Sequence, residues 1–223
     1  MRLSEKKRDL LELVTREALY EAAVRILREE GWKGLTMEKL AQRAGVAKGT
    51  IYKYFESKGD VLFFVMKRNG GITAERLSEI REEVVNRRVS ASKGLEEALE
   101  VAASGMYRNR HVIAAIGRAF EEDSSLMARK SHMCHQGEDH PLSVIRRCIR
   151  DIIAAGIEDG SLRPVDPDAA ETIIHCTMMG LGRLFAIEGP ETGVPSDQIC
   201  GLLKTMVLQG LSAKDEKPEG VRG

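Results

Sequence analysis

The residues best placed to do chemistry at the surface of this chain are Lys48, Gly49, Thr50, Tyr52, Lys53, Tyr54 and Lys58. The Thr50 hydroxyl and methyl suit base edges or phosphate, the phenols of Tyr52 and Tyr54 donate to phosphate, and the lysines supply positive charge. Gly49 among them lets a backbone come close. That combination is badly suited to a protein core and well suited to the major groove of duplex DNA.

The elements that must position these groups are legible in the surrounding stretch, TMEKLAQRAGVAKGTIYKYFESK, residues 36–58. Thr36 is an N-cap candidate and Glu38 lies in the first turn, so a short helix is predicted to Ala44, burying Leu40 and Ala41. Ala41 leaves room for a second helix to cross. Gly45, four residues on, can turn the chain with φ > 0 and ends the first helix. A second short helix is predicted from Ala47 to Phe55. At about 100° per residue, Ile51 and Phe55 share its inner face, Gly49 and Lys53 lie opposite, and Thr50 and Tyr52 flank them. Ser57, with Asp60 three residues later, caps a third helix and sets Lys58 at its N-terminus, where free N–H groups also attract phosphate. The spacing is that of a helix-turn-helix, and the function it implies is DNA reading.

The wider segment GWKGLTMEKLAQRAGVAKGTIYKYFESKGDVL resembles the DNA-binding domain of the TetR family of bacterial transcriptional regulators. A turn glycine and an aromatic precede the pattern T-x-x-x-(I/L)-A-x-x-A-G-V-x-x-G-x-x-Y-x-(Y/H)-F-x-x-K, which covers roughly residues 15 to 65. The resemblance implies groove and phosphate contacts at Thr36, Lys48, Gly49, Thr50, Tyr52, Tyr54 and Lys58. Ala47 stands where many members carry a serine that donates to phosphate, so this chain lacks that contact. The resemblance also implies a homodimer that presents two recognition helices to a palindromic operator.

Length and charge fit two modules. The 223 residues suffice for a small DNA-binding domain and a second domain with its own core. Residues 1–68 hold 15 Lys and Arg against 10 Asp and Glu, which leaves 19 against 24 of the chain's 34 and 34 for the remainder. The front is basic and the rest acidic, as a DNA-facing part and a ligand-facing part should be. The predicted organisation is all-α: a helix-turn-helix domain over residues 1–60 with an N-terminal helical extension, a helical effector-binding and dimerisation domain over 61–211, and a polar tail over 212–223.

The first residues, MRLSEKKRDLLELV, show no targeting pattern, and no apolar run approaches the ~18 residues a bilayer span needs, so a cytoplasmic protein is expected. Leu3, Leu10, Leu11, Val14, Ala18 and Leu19 recur at helical spacing, which predicts a first helix that begins well before Thr15 and stops at Gly31. The other reading is an arm that reaches the minor groove through Arg2, Lys6, Lys7 and Arg8. Later helices are predicted over residues 60–86, 94–108, 111–121, 141–158, 168–187 and 196–211, divided by segments such as DGSLRPVDP and EGPETGVPS.

In the helix over 168–187, apolar residues occupy more than one stripe, and Gly180 and Gly182 allow close approach by another helix. The helix over 196–211 carries a stripe at i, i+3, i+4 and i+7. A pair so apolar is expected to pack on its symmetry mate as a four-helix bundle, through Ile174, Met178, Leu181, Ile199, Leu202, Leu203 and Met206. Met106, Tyr107, His111, Phe120, Met127, Met178 and Phe185 are candidates to line a pocket for an apolar or amphipathic effector, because Met and aromatic side chains offer adaptable apolar surface. The expected function is a repressor that such an effector releases from DNA, with the helix over 60–86 as transmitter.

Two rival chemistries stay open. The segment HMCHQGEDH gathers His132, Cys134, His135, Asp139 and His140, all metal-ligand types, but it has neither a C-x-x-C pair nor H-E-x-x-H; a solvated loop is the alternative, and no cofactor or metal is expected. Cys148, Cys176 and Cys200 sit in apolar helical segments, where buried reduced thiols are expected. An enzyme in the C-terminal domain would need a phosphate loop, a G-x-S-x-G elbow or a paired-carboxylate motif, and none is present.

Overall fold

The computed structural model describes the backbone of residues 2–126, 128–129, 140–187 and 196–213, and the side chains of these except 2–5, 185–187 and 196. Among the described residues the chain is helical, with an isolated antiparallel bridge between Leu162 and Ser212 as its β element. The helices are α1 (Arg2–Glu29), α2 (Gly31–Gly34), α3 (Met37–Ala44), α4 (Lys48–Ile51), α5 (Lys58–Val85), α6 (Ala91–Arg108), α7 (Arg110–Glu122), α8 (Pro141–Glu158), α9 (Pro167–Ile187) and α10 (Ser196–Leu211). Contacts divide them into two compact units, Met1–Gly71 with Asn109–Gln136, and Ile72–Arg108 with Gly137–Gly223.

The sequence places a domain boundary between residues 60 and 61, within the first turn of α5, whereas the contacts divide that helix at Gly71. They also return α7 to the first unit. Val112, Ala115 and Ala119 of α7 are buried in the same core as Leu19, Ile26, Leu40 and Ile51. Periodicity identifies α7 as amphipathic but does not say which core its apolar stripe joins.

The first helix begins at Arg2, so the extension is helix and not an arm. Among the described residues, however, little covers the apolar side chains of its N-terminal half. Leu19, Ala22, Ala23, Ile26 and Leu27 are buried, while Leu10, Leu11, Leu13 and Val14 are 58–61% exposed.

In the second unit, Leu77, Ile80 and Val84 of α5 pack with Leu95, Ala98 and Leu99 of α6, and with Ile149, Ile152 and Ile153 of α8. Polar clamps fix α8 in that unit. The Arg146 guanidinium donates to both carboxylate oxygens of Glu171 on α9 at 2.6–2.9 Å, and Glu171 is only 4% exposed. Arg81 donates to Asp151 at 2.6 Å. Ser212, the first residue of the expected tail, is tied to Leu162; residues 214–223 lie outside the described part.

A candidate nucleic-acid interface

The first unit is built so that one short helix stands proud of it. Thr36 adopts extended backbone and its hydroxyl accepts from the Lys39 N–H at 3.2 Å, capping α3. At the other end Gly45 has φ 67°, in the left-handed region, with Val46 N–H donating to the Ala41 carbonyl at 3.1 Å and Gly45 N–H to that of Gln42 at 3.3 Å. These two bonds form a Schellman stop, which ends α3 sharply and redirects the chain into α4. Ion pairs from Arg43 to Glu29 at 2.6 Å and to Glu30 at 3.2 Å, with Lys39 also on Glu30, hold α3 against the end of α1.

The second helix is shorter than its sequence suggests. Only Lys48–Ile51 is α-helical, and the chain continues as a turn in which Lys53 N–H donates to Thr50 and Tyr54 N–H to Ile51, both i to i−3. Ala47 gives no side-chain cap, and Gly49 lowers helix propensity, so the tighter turn takes over. The facing is nonetheless as the wheel requires. Ile51 is fully buried and Phe55 nearly so, beside Leu40 and Ala41, while Lys48, Gly49, Tyr52 and Lys53 are exposed.

Gly49 has no positive φ, and a Cβ built on it would meet nothing within 4 Å. Neither backbone conformation nor packing within the chain therefore calls for glycine at this position. Lys48 forms an ion pair with Glu38 in which both side chains are more than half exposed. The hydrogen bond from Lys48 lowers the Glu38 carboxyl and, in return, raises the ammonium. Thr50 is half-buried. Tyr54 is too, with Arg16 stacked 5.4 Å from its ring centre.

Lys58 is the departure. Its ammonium sits 4.0 Å over the ring of buried Trp32, so it carries charge near the α5 N-terminus while anchored to the core. Ser57 and Asp60 close a reciprocal cap on α5: the Ser57 N–H donates to the Asp60 carboxylate at 2.7 Å, and the Asp60 N–H to the Ser57 hydroxyl at 3.3 Å. Burial pushes the Asp60 carboxyl up, but hydrogen bonds from Arg129 and Ser57 outweigh it and hold the group below its usual range.

The second unit holds a cavity of about 400 Å³ between α6, α9 and α10, with Leu99, Ala103, Met178 and Leu203 as apolar wall and Tyr107, Arg108 and Lys204 among its polar groups. Of the expected effector residues, Tyr107 and Met178 line it. Met106 packs nearby against the core of that unit. His111 and Phe120 do not belong there: both lie on α7 in the first unit, His111 exposed and Phe120 packed on Phe63 with ring centres 6.3 Å apart. Met127 and the Phe185 side chain lie outside the described residues.

Placement on α9 differs by one residue from the sequence reading. Ile174 and Met178, expected at a subunit boundary, are 3% and 6% exposed in the core of their own unit, whereas Ile173 and Met179 are 67% and 45% exposed. Leu202 and Met206 of α10 are exposed as well, and Leu181, Ile199 and Leu203 are half-buried. Cys176 is exposed rather than buried, because it shares the outward stripe of α9 with Thr172, Ile173 and Gly180. His140 caps α8 by accepting from the Leu142 N–H at 3.3 Å. The rest of the histidine-rich segment lies outside the described residues, among which no metal-binding cluster occurs.

Comparison with known proteins agrees with this geometry. Residues 19–63 match the bacterial regulatory proteins of the tetR family. Over 199 residues, 89% of this chain and 97% of the relative, the sequence is 25% identical to YhgD, described as an uncharacterized HTH-type transcriptional regulator of Bacillus subtilis. A local match of 61 residues, 27% of this chain and 31% of the relative, is 41% identical to the fatty acid metabolism regulator protein of the same organism. In fold, the chain is similar to the transcriptional regulator FadR from Bacillus subtilis, solved in complex with stearoyl-CoA, with a TM-score of 0.68 at 22% identity over 87% of this chain and 98% of that one. These relatives are named as regulators, which sets the enzyme reading aside. A capped helix, a left-handed glycine turn and a short helix with Lys48 and Gly49 outward and Ile51 buried lie within residues 19–63, and over these residues the chain is similar to the TetR family of bacterial transcriptional regulators.

Proposed function

We propose that this regulator acts in the cytoplasm as a homodimeric repressor, gripping a palindromic operator through α4 and leaving it when an amphipathic effector fills the cavity between α6, α9 and α10. The observation that carries the DNA-binding part is the division of α4: Ile51 buried, Lys48, Gly49, Tyr52 and Lys53 outward. Lys48, Lys53, Tyr52 and Thr50 would contact phosphate and base edges, with Gly49 at the closest approach and Thr36, Tyr54 and Lys58 supporting from the rim.

The dimer reading rests on the outward stripe of α9, Ala169, Thr172, Ile173, Cys176, Thr177 and Gly180, and on Leu202, Thr205 and Met206 of α10. Exposed helical surface that holds apolar and small residues over residues 169–180, with the exposed Arg183 one turn beyond, suits the centre of an interface with a charged rim. In such a dimer Leu181, Ile199 and Leu203 border the contact, and Ile174 and Met178 support it from beneath.

For the effector, the cavity lies within the usual size range of small-molecule sites and pairs an apolar wall with charged groups at its edge. The solved neighbour that holds stearoyl-CoA makes a long-chain acyl thioester the first ligand to try. Release requires that the effector prefer the conformation that grips DNA less well, and α5, which contributes to both units, is the element through which occupancy would be felt. The test is to sequence the genomic fragments that purified protein retains, then measure affinity for the recovered operator with and without acyl-CoAs of graded length. A drop of about 5- to 150-fold at saturating ligand is expected, with operator weakening ligand binding by the same factor. A ligand that occupies the cavity and leaves operator affinity unchanged would defeat this part of the reading.

A further inference from the structure

The apolar side of α1 reverses direction near Thr15. At 3.6 residues per turn, Leu19, Ala22, Ala23, Ile26 and Leu27 share the face that packs into the first unit, while Leu10, Leu13 and Val14 lie on the opposite face, with Leu11 at its edge. No rotation of the helix buries both sets at once, so these four side chains, each about three-fifths exposed, have no partner to gain from their own unit.

Charge along the same face says what covers them. Lys6 and Lys7 precede the apolar patch on that face, and Glu17 and Glu21 follow it. A helix side that runs basic, apolar, acidic is complementary to itself when reversed. Laid antiparallel about its middle, Leu10 of one copy meets Val14 of the other, Leu11 meets Leu13, and Lys7 meets Glu17, with Glu21 one turn beyond. Glu17 gives one carboxylate oxygen to Arg68, which leaves the other available. An anionic membrane would suit Lys6 and Lys7 but repel Glu17 and Glu21, so the pattern favours a second copy over a lipid surface.

We propose that the N-terminal half of α1 is a self-association site, at which two copies of this protein pair their Leu10–Val14 segments as an antiparallel helix pair. The contact is isologous, as a two-fold axis requires. Four side chains per copy fall well short of the ~800 Å² per partner of a standard interface, so the pairing is weak between free molecules and becomes effective between copies already held on neighbouring DNA sites. It is separate from the proposed α9 and α10 interface and gives cooperative occupancy of adjacent operators.

The test is sedimentation equilibrium of the full chain, run up to high micromolar concentration. Wild type should show a reversible association step that Leu10→Gln with Val14→Gln weakens at least tenfold, with helicity by circular dichroism and melting temperature unchanged because both positions are exposed. Lys7→Glu and Glu17→Lys should each weaken the step on their own, and an equimolar mixture of the two should restore it, since each new charge at position 7 or 17 then faces its opposite. The mixture keeps the test decisive if the glutamine variant loses helix. Failure of the mixture to recover, a step insensitive to the glutamine pair and lost only with Met206→Glu, or pelleting of wild type but not the glutamine variant with phosphatidylglycerol vesicles and no self-association, would each overturn the proposal.

Discussion

Replacing Gly49 by Ala should move fold stability and DNA affinity in opposite directions. In the free protein the new methyl enters open space, with no heavy atom within 4 Å, and the backbone there is helical without positive φ. The substitution therefore introduces no strain and restricts the unfolded chain, a gain of about 0.5–1 kcal/mol. For a chain of this length that is a rise of roughly 1–4 °C in melting temperature. Against DNA the sign changes. If α4 lies in the groove with Gly49 at van der Waals distance, a methyl there overpacks the contact at a cost of about 1–3 kcal/mol, or roughly 5- to 150-fold in affinity. The salt dependence should not change, because no charge is lost. Lys48→Ala provides the contrast: Glu38 pairs with Lys48 only at an exposed surface, so the fold should tolerate its loss, while the log-log salt slope should fall by about 0.9. Fluorescence anisotropy on the recovered operator at several salt concentrations, with thermal melts of the same samples, measures both quantities. A Gly49→Ala protein that melts higher and binds like wild type would mean that α4 is not pressed against DNA. One that melts lower would mean that the glycine is needed by the fold itself.

The remaining expectations concern the second unit and the response to acid. Met206→Glu or Leu202→Glu changes a side chain more than 60% exposed in the single chain, so folding should survive while a charge buried between subunits costs several kcal/mol; light scattering that still reports an intact dimer would remove the α9 and α10 face. Arg146→Ala leaves the buried Glu171 without its guanidinium and should lower stability to chemical denaturation by about 3 kcal/mol, with Arg146→Lys recovering only part because it loses the two-pronged contact. Asp151 is pushed up by burial but held below the usual carboxylate range by Arg81 and Arg150, and Asp60 behaves alike through Arg129 and Ser57. Each therefore takes up a proton more readily in the unfolded chain. Their contribution to stability is full above the ordinary carboxylate pKa of about 3.9 and is lost as pH falls through the depressed folded values. Urea melts from neutral pH to about pH 2.5 should show that loss, and Arg81→Ala should make it shallower.

Much of the interface was legible in the chain because its determinants act within a few residues of one another. The Thr36 cap, the left-handed Gly45, the buried Ile51 and the Ser57–Asp60 cap are each decided by hydrogen bonds or sterics inside one or two turns, and each sits where its residue type requires. The length of α4 was not legible, since the choice between an α-helical and a tighter turn at Tyr52–Tyr54 depends on a balance of weak propensities around Gly49.

What only the tertiary structure decided is which apolar side of a helix gets covered. Periodicity determines that Ile173, Ile174, Met178 and Met179 are on α9, but a helix apolar around most of its circumference has no preferred inward side, and a difference of one residue is a rotation of about 100°. Packing on α6 and α8 selects Ile174 and Met178 for the core and leaves Ile173 and Met179 outside. The same ambiguity attached α7 to the first unit and took His111 and Phe120 away from the cavity. On α1, spacing alone made Leu10, Val14 and Leu19 part of one helix, and only the fold showed that its two halves face opposite ways. The amino-acid sequence determined the helix ends that a local cap or glycine turn fixes, as at Thr36, Gly45 and Ser57, because that chemistry lies within a turn or two; the tertiary structure determined what the helices face because burial is a property of the partner as well as of the stripe.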